Sequence, residues 1–123
     1  MRTIIAGSRG IIDQPTIERA IEGSGFEVTP VLSGDARGVD RAGAAWARAQ
    51  GIRVEIYPAD WKRHGKRAGF LRNEVMAQKA DALIAIWDGQ SRGTKHMIDA
   101  AFSAGLKICI VNLAGQRTGS EET

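Results

Sequence analysis

Short apolar runs alternate with longer amphipathic segments along most of the chain. The runs Thr3–Ala6, Glu27–Leu32, Arg53–Tyr57, Ala82–Trp87 and Lys107–Asn112 are short and rich in isoleucine and valine. Most are nearly continuous in their apolarity, the pattern of parallel strands covered on both faces. Four segments of helical length lie between them: Gln14–Glu22, Val39–Gln50, Arg67–Lys79 and Gly93–Ser103. Ile17, Ala20 and Ile21 form an apolar stripe on the first; Thr94, Met97, Ile98, Ala101 and Phe102 form one on the last. On the third, Leu71 and Val75 stand four positions apart and are expected to face the core. Gly23, Gly51 and Gly105 follow three of these helices, where a left-handed capping residue is favoured.

Strand–helix–strand repetition with right-handed crossovers predicts an α/β fold, a Rossmann-like three-layer sandwich. Its sheet has five parallel strands in the order 3-2-1-4-5, with helices on both faces and a switch point between the first and fourth strands. Ligands in such sheets bind beyond the C-terminal ends of the strands, close to that switch. The chain reads as one domain over residues 1–113, followed by a polar tail, Ala114–Thr123, expected to fray.

Composition narrows the setting. The 123 residues suffice for one core, and 43% hydrophobic with 25% charged residues is ordinary for a soluble domain. No apolar run approaches the ~20 residues that span a bilayer, and the N-terminus passes straight into a strand pattern. A cytoplasmic protein without a membrane partner is expected. Cys109 has no second cysteine to pair with and sits among Ile108, Ile110 and Val111, so it is expected to be a core thiol. A net charge of +3 is too mild to imply nucleic-acid binding, and DNA is not an expected partner. Locally, Lys62, Arg63, His64, Lys66 and Arg67 form a basic run that fits either a solvated loop or the rim of an anion site.

The strongest chemical signal is an asymmetry between the two edges of the predicted sheet. The loops after strands one, two and four read Gly7-Ser8-Arg9-Gly10, Ser33-Gly34-Asp35-Ala36-Arg37-Gly38-Val39-Asp40 and Asp88-Gly89-Gln90-Ser91-Arg92-Gly93-Thr94. The opposite-edge connections are plain turns. Glycine lets backbone N–H groups approach a ligand, helix N-termini favour anions, and guanidinium forks match phosphate or carboxylate oxygens. Arg9, Arg37 and Arg92, one in each loop, therefore point to a shared anion site. Arg72, at the start of the third helix beside Asn73 and after Gly65 and Gly69, reads either as a solvent-facing residue or as part of that site. Trp61 and Trp87 flank the same edge and could stack on a base or close their loops; Lys95 and Asp99 read as a surface ion pair.

Other chemistries lack their residues. Neither GxGxxG nor GxxxxGK[ST] is present, so dinucleotide and Walker-type sites are not expected. His64 and His96 have no metal-ligand spacing, and Ser8 and Ser33 lack a His/Asp set. No metal and no cofactor are expected. If the site carries catalysis, the carboxylates available are Asp35, Asp40 and Asp88.

The loop motifs, together with Gly65-Lys66-Arg67-Ala68-Gly69-Phe70-Leu71-Arg72-Asn73 at the third helix, resemble the YspA-type, cpYpsA-related branch of the SLOG superfamily. That superfamily also holds the LONELY GUY phosphoribohydrolases and the DprA/Smf proteins. The resemblance runs from about Thr3 to Asn112, and it implies a Rossmann-like sheet, homodimers or higher homo-oligomers, and nucleotide or ADP-ribose-like ligands. It further implies a sensor or sequestering role in phage or bacterial conflict, with an N-glycosidase or a DprA-like DNA-binding module as alternatives. By the resemblance, Arg72 stands nine positions before Asp81 as the phosphoribohydrolase arginine stands before its aspartate. Gly93-Thr94 matches the phosphate-holding glycine–threonine of PGGxGTxxE, but Asp88-Gly89 replaces its Pro-Gly. Met97 falls at its glutamate and cannot act as an acid or base. The ligand-binding set is therefore Gly7, Ser8, Arg9, Gly34, Asp35, Ala36, Arg37, Gly38, Asp40, Arg72, Asn73, Asp88, Gly89, Ser91, Arg92, Gly93 and Thr94.

Overall fold

Alternate residues of the central strands project to opposite faces, and both faces are apolar. In the computed structural model, which describes residues 1–113, this alternation builds two cores around one sheet. The strands are β1 (Thr3–Gly7), β2 (Val31–Ser33), β3 (Val54–Ile56), β4 (Ala82–Trp87) and β5 (Lys107–Asn112). All pair in parallel, in the order β3-β2-β1-β4-β5. Ile5, Val31, Ile84 and Ile86 pack on one face against α1 (Gln14–Gly23) and α2 (Val39–Ala49), through Ile17, Ile21, Val39 and Ala47. Ile4, Ala6, Leu32, Leu83 and Ala85 pack on the other against α4 (Ala68–Lys79) and α5 (Arg92–Ser103), through Met76, Ala77, Met97 and Ala101. A Rossmann-like α/β sandwich with the predicted strand order is what the chain forms. The tail from Ala114 onward lies outside the described residues.

Several local expectations are corrected. The apolar pattern starts the second strand at Glu27, but the strand begins at Val31, because Pro30 has no N–H to give to a ladder. A one-turn helix, α3 (Trp61–His64), and a 3₁₀ turn over Gly65–Arg67 lead into α4; neither has a periodic apolar stripe that sequence could show. The buried face of α4 is Ala68, Asn73, Met76 and Ala77, while Val75 is 44% exposed and Leu71 only half-buried. The Leu71–Val75 pair is a real apolar ridge, but it is turned away from the sheet. Phe102 is likewise exposed, although the stripe Thr94, Met97 and Ala101 on its helix is buried. Gly51 and Gly105 adopt positive φ after their helices; at the end of α1 that role falls to Gly25, and Gly23 remains helical. Cys109 is half-buried, because β5 is an edge strand with exposed positions at Lys107, Ile110 and Asn112. Among the described residues no helix is long and apolar enough to cross a membrane.

Candidate functional site

Parallel strands bring all their C-terminal ends to one edge, so loops far apart in sequence meet there. A cavity of about 390 Å³ opens at that edge, within the range of small-molecule sites. Gly7, Arg9 and Gly10 from the β1 loop line it, with Ala36 and Asp40 from the β2 side. Arg72 and Asn73 of α4, Asp88 and Ser91 after β4, and Gly93, Thr94 and Met97 of α5 complete much of the wall. A second cavity of about 290 Å³ adjoins it and shares Arg9, Ala36, Trp61 and Arg72, adding Gly34, Asp35, Arg37 and Arg41.

Each loop is shaped by a local device. Gly7 must be glycine, since a Cβ there would collide with the Ile86 carbonyl and the Val39 side chain. Gly38, at φ 80°, packs against the Ser8 and Arg9 carbonyls, so it sets the path of the loop without lining either cavity. Ser8 is buried, and its Oγ accepts from Asp88 N at 3.0 Å, tying the β1 loop to the β4 loop. Asp88 Oδ1 accepts from Gln90 N and Ser91 N at 2.8 and 2.9 Å, which holds its carboxyl below the usual range. Gly89, at φ 83°, closes that turn and lines neither cavity. Ser91 caps α5 by accepting from Thr94 N at 3.3 Å, leaving the first-turn N–H groups of Arg92 and Gly93 without an intrahelical acceptor. The Arg92 side chain is exposed and lines neither cavity.

Arg72 is the cation built most deeply into the edge. Its Nη1 donates to Gly34 O at 2.7 Å and to Tyr57 O at 3.3 Å, and its Nε donates to Asn73 Oδ1 at 3.0 Å. Three of its hydrogens are thus used to fix the fork, while Nη2 lies near Gly69, and the side chain lines both cavities. Burial draws its guanidinium below the usual value; Asp40 opposes that shift and Arg9 adds to it. Asn73 donates to Gly93 O and pairs with His96 Nδ1, both at 3.3 Å, so the α4 arginine is linked to the start of α5. His96 in turn stacks on Phe70, with ring centroids 4.1 Å apart.

The three candidate carboxylates differ in kind. Asp35 is exposed, with Arg41 Nε 3.7 Å from its carboxylate. Asp88 is held in its own turn. Asp40, in the first turn of α2, is 5% exposed and lines the main cavity. Burial raises its carboxyl to about 6, against the opposing charge of Arg72 and the N–H groups of Gly7 and Ala36. Among the described residues no group of three or more His, Cys, Asp or Glu could hold a metal ion.

Seven residues lining the main cavity are absent from the set that the sequence suggests: Ala6, Gly10 and Gly69, and four larger side chains. Trp61, Lys66 and Phe70 come from α3, the 3₁₀ turn and α4, and Met97 from α5. The basic run and the flanking tryptophan are the signals that point toward them. Of that run only Lys66 reaches the cavity. Trp87 closes its loop, donating from Nε1 to Ser91 O at 3.1 Å. Lys95 and Asp99 do form a surface pair at 3.0 Å, each 62% exposed, so Lys95→Ala is expected to change stability by less than about 0.5 kcal/mol in a denaturant melt.

The sheet order and helices of this edge, with a glycine-lined cavity beside the topological switch, are those of a Rossmann-like α/β domain. The chain belongs to the YspA, cpYpsA-related SLOG family, whose profile matches residues 1–64. It is also similar to the Gene 61 protein of Mycobacterium phage D29, at 38% identity over 117 residues that cover 87% of this chain and 93% of the phage protein. No solved structure gives a significant match.

Proposed function

We propose that the chain binds a phosphorylated nucleotide, or a nucleotide-derived molecule of the ADP-ribose kind, in the cavity at the strand C-terminal edge, and acts as a sensor or sequestering protein. The observation that carries this reading is Arg72. A half-buried guanidinium, fixed by two carbonyls and an amide, keeps one edge beside a cavity into which the start of α5 also opens. Such a fork suits phosphate oxygens, and Trp61 and Phe70 supply apolar faces on which a base can rest. Membership in a SLOG family is in keeping with a nucleotide-related ligand.

Hydrolysis of an N-ribosyl bond is the second reading, and Asp40 favours it as the buried carboxylate of the cavity. Binding is preferred because Met97 lines the wall where the resemblance to phosphoribohydrolases would put their glutamate. Isothermal titration with AMP and with ADP-ribose is expected to give one site per chain for at least one of them. Chromatography of the same mixtures is expected to show no free adenine. Adenine released by the wild type and not by Asp40→Asn would replace the binder with the enzyme.

A DNA-binding role has less support, since the cations lining the cavities surround a recess. A submicromolar DNA complex whose affinity falls steeply with salt would reverse that preference.

A further inference from the structure

Asp40 presents a problem that phosphate binding does not solve. Its carboxylate is nine-tenths or more buried, yet it belongs to the wall of a cavity surrounded by cations. Its Oδ1 accepts from Gly7 N at a long 3.3 Å, and the Ala36 N–H also serves the carboxylate. Its Oδ2 faces Gly34, where a Cβ would lie 2.9 Å from it and would also strike the Arg72 guanidinium. No ion pair within 4 Å joins Asp40 to Arg72 among the described residues; the donor contacts of that arginine go to Gly34, Tyr57 and Asn73. A carboxylate offers about four lone-pair positions, and backbone donors from Gly7 and Ala36 leave the others without a donor among the described residues.

A ligand must answer this group with donors. An ionised phosphate cannot, because it brings like charge and no hydrogen. It is better served by Arg9, by Nη2 of Arg72 and by the N–H groups that begin α5. The part of the ligand lying over Asp40 is then neutral and rich in O–H donors. In a nucleotide the sugar fits that description.

Resting on the reading that the ligand is a phosphorylated nucleotide, we infer that Asp40 accepts the hydroxyl hydrogens of its ribose and makes the site selective for ribose over deoxyribose. Both Asp40 and the phosphate-binding groups line one cavity of about 390 Å³, so a sugar bonded to its phosphate can meet both. The absence of a side chain at Gly34 lets the Arg72 guanidinium and Asp40 Oδ2 approach the same loop.

The test uses the sugar phosphates of ribonucleotides and deoxyribonucleotides, ribose 5-phosphate and 2-deoxyribose 5-phosphate, titrated calorimetrically into the full chain at pH 7.5. Wild type is expected to bind the ribose compound ~10-fold or more tightly than the deoxy compound, the effect of one hydrogen bond to a charged group. In Asp40→Asn the ratio is expected to fall toward one, whatever the change common to both sugars from losing a charge beside Arg72. Equal wild-type affinities for the two sugars would overturn the inference and leave the phosphorylated-ligand reading standing. Binding of neither up to about 10 mM would overturn the inference, and failure of AMP to bind as well would overturn the reading beneath it. Equal weakening of both sugars in Asp40→Asn would mark Asp40 as structural and overturn the inference. The wild-type comparison does not depend on the variant folding.

Discussion

Arg72→Ala is expected to weaken binding of a phosphorylated nucleotide by roughly 10–150-fold, the loss of one charge-assisted contact worth ~1.5–3 kcal/mol. The guanidinium is half-buried, and its Nε and Nη1 are fixed by Asn73, Gly34 and Tyr57. Little side-chain entropy remains to be lost when Nη2 meets an anion, so the contact keeps most of its strength. Arg37→Ala, in the adjoining cavity, is expected to weaken a ligand that reaches that cavity. Arg92→Ala is expected to stay within about two-fold of wild type, since that side chain is exposed and lines neither cavity. Calorimetric titration of the three variants separates these outcomes. Equal losses at all three positions would indicate a diffuse field and no defined pocket.

Asp40→Asn is expected to stabilise the chain at pH 8 by up to about 3 kcal/mol, and the gain is expected to vanish toward pH 4. Burial lifts the Asp40 carboxyl from 3.8 to about 6 in the folded chain, and each tenfold change in proton affinity corresponds to about 1.4 kcal/mol. A carboxyl raised in this way binds its proton more tightly when folded than when unfolded. Stability from this group is therefore fully present below about pH 4, is lost as pH rises toward 6, and stays lost above it. Asparagine keeps the shape and the acceptor for Gly7 N but removes the charge. Other titrating groups, such as Glu55, which Arg2 and Tyr57 hold down to about 2, are common to both proteins and cancel in the difference. Urea melts of the two proteins at pH 8 and pH 4.5 provide the check. A difference that does not change with pH would contradict it.

Much of the fold is legible in the sequence because parallel sheets leave a strong trace. The central strands are apolar on both faces, the crossovers are helical, and handedness then leaves few orders for five strands. Legibility fails where packing chooses between equivalent patterns. On α4, Leu71–Val75 and Met76–Ala77 are both apolar, and only the neighbouring α5 and sheet decide which pair is buried. The apolar pattern overextends the second strand because Val28 is buried like a strand residue although its segment is not one. At the site, the glycine- and arginine-rich loops can be grouped because the topology forces strand ends onto one edge. Trp61, Lys66 and Phe70 cannot be assigned to the wall from sequence, since a one-turn helix followed by a 3₁₀ turn carries no periodic signal. Arg92 shows how little separates inside from outside: α5 begins one residue earlier than its pattern suggests, and that residue points to solvent. Asp40 looks like an ordinary acidic residue in a helix first turn, and its burial depends on Gly7 and Gly34, which meet it only in the folded chain.

The central claim is that the strand C-terminal edge receives the phosphorylated ligand. Titrating isotope-labelled protein with AMP and following backbone amide resonances tests it residue by residue. The expected result is saturable movement of Gly7, Arg9, Gly10, Gly93 and Thr94, together with the Arg72 side-chain Nε–H, while amides at the opposite edge, such as Gly51 and Gly105, stay still. Perturbations confined to the groove between α4 and α5, around Gln78 and Ser103, or no perturbation at millimolar AMP, would contradict it.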